Sequence, residues 1–163
     1  MVLCRTRDIE HQELIREGGE NMLRSKLTDE MVQFIQGAKD WEEAIHAASE
    51  PLLKQGYIEA RYVEAMISNV KNFGPYIVLM PEVAMPHARP EDGVNQMGIS
   101  LMITEESVLF DEGKTAKIFF VLAADDKSSH LELLQEISEF LANEENVSVL
   151  LSAKKYEDVS NLF

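Results

Sequence analysis

The chain has 163 residues, 45% of them apolar and 27% charged, with a formal net charge of −14 at pH 7. That length suits one domain with a sizeable core, and the acidic balance excludes a surface built for nucleic acid, whose phosphates it would repel. The single cysteine, Cys4, excludes a disulfide within the chain and fits a cytoplasmic setting. No long apolar run is present for direct membrane insertion, and the first residues lack the apolar core of a signal peptide.

Residues 1–21 are mostly polar, without an amphipathic face. Gly18-Gly-Glu-Asn-Met22 can be encoded by a purine-rich run resembling a ribosome-binding site ahead of the Met22 codon. The expectation is therefore an N-terminal extension over 1–21, upstream of the native start, and a domain over 22–163. Cys4 has no motif around it and reads as an incidental thiol. Residues 31–36 are short and apolar-rich, a strand. Asp40 with Glu43 three residues later has the form of a helix start. Trp41, Ala44, Ile45, Ala48, Leu52 and Leu53 then share one face, Gly56 ends the run, and Pro51 is placed to kink or split it. His46 lies off the stripe and reads as a surface residue. A second helix over 59–72 turns Tyr62, Val63, Met66, Ile67 and Val70 to the core. Farther on, residues 98–104 and 117–123 predict strands, the latter apolar on both faces and so central in a sheet with helices on either side. The fold class that follows is α/β, a single mixed β-sheet sandwiched between layers of helices, with no repeat or linker.

Between the second helix and those strands lies Met80-Pro-Glu-Val-Ala-Met-Pro-His-Ala-Arg-Pro-Glu-Asp-Gly93. Prolines 81, 86 and 90 exclude a helix and leave an extended, stiff passage with His87 at its centre. Pro86 removes a degree of freedom beside the imidazole. Arg89, two residues on, falls on the same side of an extended chain. A nucleophilic imidazole beside a guanidinium fork suits a phosphoryl group.

A second informative stretch follows the central strand, at residues 123–132. Ser129 has the form of an N-cap with Glu132 as its capping-box partner, and Leu131, Leu134, Ile137 and Leu141 recur along the helix. His130 then sits in the first turn, where free N–H groups and the dipole favour phosphate and disfavour a proton on the ring. Acidic pairs at 91–92, 105–106, 111–112, 125–126 and 144–145 read as solvated surface, with Asp125 and Asp126 placed to orient His130 or to meet a basic partner.

The words Phe73-Gly-Pro-Tyr76 and Ala84-Met-Pro-His-Ala-Arg-Pro-Glu-Asp-Gly93 resemble the active-site segment of enzyme IIA components of the bacterial sugar phosphotransferase system. The resemblance is to the mannitol/fructose superfamily, and within it to the ascorbate-type branch, over residues 22–163. It implies a cytoplasmic phosphoprotein without cofactor or metal that accepts a phosphoryl group on His87 from the phosphocarrier protein HPr. It also implies transfer onward to a cysteine of a separate enzyme IIB, serving an enzyme IIC permease and sugar transport. His130, in the family's His-Leu-Glu-Leu-Leu position, is implied in stabilising the phosphoryl group; Arg89 and the amides near Ser129 are phosphate partners on the reading of the residues themselves, not of the family. One departure stands out: mannitol-branch members carry an Arg on the helix before the loop, whereas residues 64–73 hold only Lys71. Two other classes compete. One is an enzyme IIA-like module whose phosphorylation regulates a partner. The other is a metal-dependent hydrolase with His87 and His130 as ligands, for which no motif supplies a third.

Overall fold

The computed structural model describes residues 21–163, and at its centre β4 (Gly98–Leu109) and β5 (Thr115–Ala123) pair antiparallel. β1 (Val32–Ile35) joins β4 in parallel, β3 (Glu82–Ala84) joins β5 in parallel, and β2 (Val78–Met80) runs antiparallel to β3. The mixed five-stranded sheet is therefore ordered β1-β4-β5-β3-β2. The helices are α1 (Asn21–Lys26), α2 (Trp41–Lys54), α3 (Ala60–Phe73), α4 (Lys127–Leu141) and α5 (Glu144–Ser152).

Side-chain alternation assigns the two faces of the sheet. Ser100 donates its hydroxyl to the Ala48 carbonyl of α2 (2.7 Å), so the even-numbered residues at the start of β4 face that helix. Phe119, opposite Met102, shares this face and packs on Phe110, which stacks on Trp41 of α2. Phe120, opposite Leu101, points the other way and meets Phe140 of α4 edge-on at 6.4 Å. Helices cover both faces, which is why residues 118–123 of β5 are all buried.

Local chemistry accounts for most boundaries. Asp40 caps α2 by accepting the Glu43 N–H (2.8 Å), while the Glu43 carboxylate accepts from the Lys39 N–H (3.2 Å). α2 runs through Pro51 without splitting. Pro51 cannot donate to the Ala47 carbonyl, and Gln33 Nε2 of β1 donates there instead. Residues 77–85, read as an apolar run entering an extended passage, form the β2–β3 hairpin. Its turn residue Glu82 has a left-handed φ of 68°, held by hydroxyls of Ser107 and Thr115 that donate to its carboxylate.

The start of α4 corrects the sequence reading. Asp126, not Ser129, is the N-cap, accepting the Ser129 N–H at 2.7 Å. With that start, Leu133, Ile137 and Leu141 form the buried stripe, and Leu131 is left 66% exposed. The expectations for Cys4 and residues 1–20 lie outside the described residues. No helix among the described residues is long and apolar enough to cross a membrane.

Candidate functional site

His87 sits in the loop that leaves β3 and runs on beside β5. The Leu122 N–H of β5 donates to Pro86 O (3.1 Å), extending the parallel pairing past the end of β3. On the other side of His87, the Ala88 N–H donates to the Tyr62 hydroxyl of α3 (3.0 Å). The imidazole is half-buried, and its Nδ1 lies 2.8 Å from Met85 O. A carbonyl can only accept, so Nδ1 carries a proton, and in the neutral ring the lone pair is then on Nε2. The stiffness expected of this passage thus has identifiable anchors.

β5 also leads directly into α4, which brings His130 to the same place. The rings of His87 and His130 are 5.3 Å apart at a tilt of 44°. Tyr76, from the Phe73-Gly-Pro-Tyr76 word, approaches His87 edge-on at 5.9 Å. Burial, and then the charge of His87, push the His130 pKa below its ordinary value. The causes differ from the helix dipole invoked from sequence, but the direction is the same: His130 is held neutral. Burial raises the Tyr76 hydroxyl, against a hydrogen bond from Asn69.

Together these side chains line a cleft of about 440 Å³ that also includes Asn69, Arg89, Lys127 and Leu131. Arg89 is therefore at the site, but its side chain is 73% exposed and its guanidinium pairs with Asp92 (3.4 Å) and Glu91 (3.7 Å). Ser129 is turned elsewhere: its hydroxyl donates to Asp125 (2.8 Å) and its N–H is taken by Asp126. The first-turn amide expected to face a phosphate is thus occupied by a carboxylate. The His130 N–H is likewise used within the helix, donating to Asp126 O. Among the described residues, no group of three or more His, Cys, Asp or Glu is placed to hold a metal ion.

Two contributors were not assigned from sequence. Tyr62 reads as a core residue at helical spacing, and its hydroxyl partners at residues 88 and 122 leave no local pattern. Lys127 stands at the first position of α4 and makes no ion pair among the described residues. What the cleft offers is an imidazole whose Nδ1 is engaged by a carbonyl, a second imidazole whose pKa is lowered, and two cations. That set suits attack on an electrophile bearing anionic oxygens.

This is the fold of a phosphotransferase system enzyme IIA. The chain belongs to the family described as "Phosphoenolpyruvate-dependent sugar phosphotransferase system, EIIA 2", which matches residues 25–163. It is 39% identical over 132 residues to the mannitol-specific cryptic phosphotransferase enzyme IIA component of Escherichia coli (strain K12), covering 80% of this chain and 90% of that one. The solution structure of the Escherichia coli protein of that name aligns at a TM-score of 0.81 and 37% identity, covering 86% and 97% of the two chains. The ascorbate-specific EIIA component of the same strain is 34% identical over 128 residues, covering 77% and 83%. Mannitol-type and ascorbate-type relatives thus both match, the former at higher identity. The Escherichia coli complex of mannitol enzyme IIA with phosphorylated enzyme IIB aligns at a TM-score of 0.74 and 29% identity, covering 84% and 96%. The chain is a phosphotransferase and a phosphocarrier of a sugar phosphotransferase system.

Proposed function

We propose that this phosphocarrier accepts its phosphoryl group from phospho-HPr on Nε2 of His87 and passes it to a cysteine of a separate enzyme IIB. Enzyme IIB then serves an enzyme IIC permease. The observation that carries this reading is the bond between His87 Nδ1 and Met85 O (2.8 Å), which leaves Nε2 as the nucleophile. As the new N–P bond forms, the N–P bond of the donor histidine breaks and the His87 ring gains positive charge. The Met85 carbonyl faces that charge at the Nδ1 proton. In the second half-reaction a cysteine thiolate forms an S–P bond, the His87 N–P bond breaks, and the ring returns to its neutral tautomer.

His130, kept neutral, donates one N–H to a phosphoryl oxygen, while Arg89 and Lys127 offset charge from the rim of the cleft. Ser129 makes no direct phosphate contact in this scheme, because Asp125 and Asp126 hold its hydroxyl and amide. Support for enzyme IIB as receiver comes from the Escherichia coli complex of a similar enzyme IIA with its phosphorylated enzyme IIB. The substrate class is ascorbate or a related polyol, as the ascorbate- and mannitol-specific relatives suggest.

Phosphotransfer from phosphoenolpyruvate through enzyme I and HPr tests the scheme. One acid-labile phosphoryl group should appear, and His87→Ala should abolish it. Retained labelling of that variant would remove the central claim. Mannitol-type and ascorbate-type enzymes IIB, offered to the labelled protein, would then report the branch it serves.

A further inference from the structure

The segment bearing His87 is held on both sides by one residue of β5. Leu122 donates its N–H to Pro86 O directly. Its carbonyl accepts the Tyr62 hydroxyl proton, and that same hydroxyl oxygen accepts the Ala88 N–H at 3.0 Å. The Ala88 carbonyl, 3.3 Å from the hydroxyl, is a more distant acceptor. The Tyr62 oxygen thus completes a bridge from α3 to both β5 and the loop, with His87 between the two anchored residues.

Tyr62 itself is fully buried and has little freedom. The chain beyond His87 folds back onto the same turn of α3: Glu59 N–H donates to Gly93 O (2.9 Å) and Arg61 Nη1 to Glu91 O (2.8 Å). Gly93 has a φ of +140°, and a Cβ there would lie 3.1 Å from the backbone nitrogen and Cβ of Tyr62. Residues 86–93 therefore clasp the start of α3, and the Tyr62 ring is confined within that clasp. Burial drives its phenol pKa upward, so the group stays a donor throughout the working pH range. Without its hydroxyl, the buried Ala88 N–H would lose its partner, and an unpaired buried donor relaxes toward another one.

We infer that Tyr62 is a positioning residue for phosphotransfer: its hydroxyl sets the turn at His87 that seats Nδ1–H on Met85 O and leaves Nε2 for attack. This rests on the reading of His87 as phosphoryl acceptor and adds what orients it. Misplacing a reacting group by a fraction of an ångström is enough to slow a positioned reaction, whereas the docking of a protein donor depends on surface residues.

Tyr62→Phe removes one oxygen and keeps the ring that fills the core. The maximal single-turnover rate with phospho-HPr should fall about tenfold, with no change in the phospho-HPr concentration that gives half of it. In ¹⁵N spectra of the unphosphorylated protein, the Nε2–H tautomer of His87 should grow at the expense of Nδ1–H. Ser100→Ala is the control, since it removes another buried hydroxyl, bonded to Ala48 O and outside the cleft. It should lower the melting temperature and leave rate and tautomer unchanged. Wild-type rate and tautomer in Tyr62→Phe, or equal losses in Ser100→Ala, would overturn the inference. His87→Ala measured alongside separates the two claims. If it still takes label, the acceptor assignment fails; if it does not and Tyr62→Phe behaves as wild type, only the role of Tyr62 fails.

Discussion

The rings of His87 and His130 face one another at 5.3 Å because one strand places both. β5 hands its end to the loop of His87 through Leu122, and then continues into α4, which carries His130. Two imidazoles this close share an electrostatic fate: a proton on one disfavours a proton on the other. The pair is asymmetric in surroundings: His87 has its Nδ1 on the Met85 carbonyl, while burial and then the charge of His87 lower the His130 pKa.

The depressed pKa of His130 fixes the sign of a pH effect. Its ordinary value is 6.5, and burial, then the charge of His87, lower it in the folded protein. Folding thus favours the neutral ring. This contribution to stability is complete above pH 6.5 and is lost as pH falls from there through the folded value. His130→Ala should flatten the decline of melting temperature across that window, which thermal melts would measure; a steeper decline in the variant would contradict it. A phosphoryl group on His87 reverses the neighbouring charge, so phosphorylation should raise the His130 pKa, visible in an NMR titration of both forms.

His130 should also matter for rate without carrying phosphate. His130→Ala loses one hydrogen bond to a charged oxygen, worth roughly 1.5–3 kcal/mol. If the bond is fully made in the transition state, transfer slows by about one to two orders of magnitude. His130→Gln keeps an N–H donor and should recover part of the loss. Single-turnover rates of the three forms decide it: equal rates make His130 a bystander, and phosphate on His130 instead of His87 inverts the pair.

What could be read from the residues follows the strength of local patterning. The Asp40 cap, the stripe from Ala44 to Leu52 and the doubly apolar 117–123 run each appear as expected, because one period dominates each. The β2–β3 hairpin was not legible: its strands are three residues each, and its turn uses Glu82, rather than a glycine, at positive φ. The meeting of His87 with His130 was anticipated from family resemblance, and no spacing in the chain encodes it. The role of Tyr62 was hidden for a different reason. A tyrosine on a buried stripe looks the same whether its hydroxyl anchors a loop or merely finds a partner, and here the partners are Ala88 and Leu122, in other elements.

The start of α4 offers a direct comparison of two candidate caps. Asp126 accepts the Ser129 N–H, and its carboxyl pKa is lowered chiefly by that bond. Ser129 is already inside the helix, with its hydroxyl on Asp125. Asp126→Ala should therefore lower the melting temperature more than Ser129→Ala. The gap should shrink in acid, because a lowered carboxylate pKa stabilises above the unfolded value of 3.8 and is lost as pH falls through the folded one. Equal effects at neutral pH would restore Ser129 as the cap.

Lys127 and Arg89 present the last test, because residues 64–73 hold no arginine and these are the two cations that line the cleft. Arg89 spends its fork on Asp92 and Glu91, so turning it toward a phosphoryl group means giving up two carboxylates. Lys127 has no such partner among the described residues and rises from the first turn of the helix that carries His130. A flexible ammonium in that position can follow the transferring group. Lys127→Ala should then slow single-turnover phosphotransfer more than Arg89→Ala does. Asp92→Asn weakens the competing pair at Arg89, and in the Lys127→Ala background it should restore part of the rate. The opposite ranking of the two single variants, with Arg89→Ala the slower, would return the phosphate contact to Arg89.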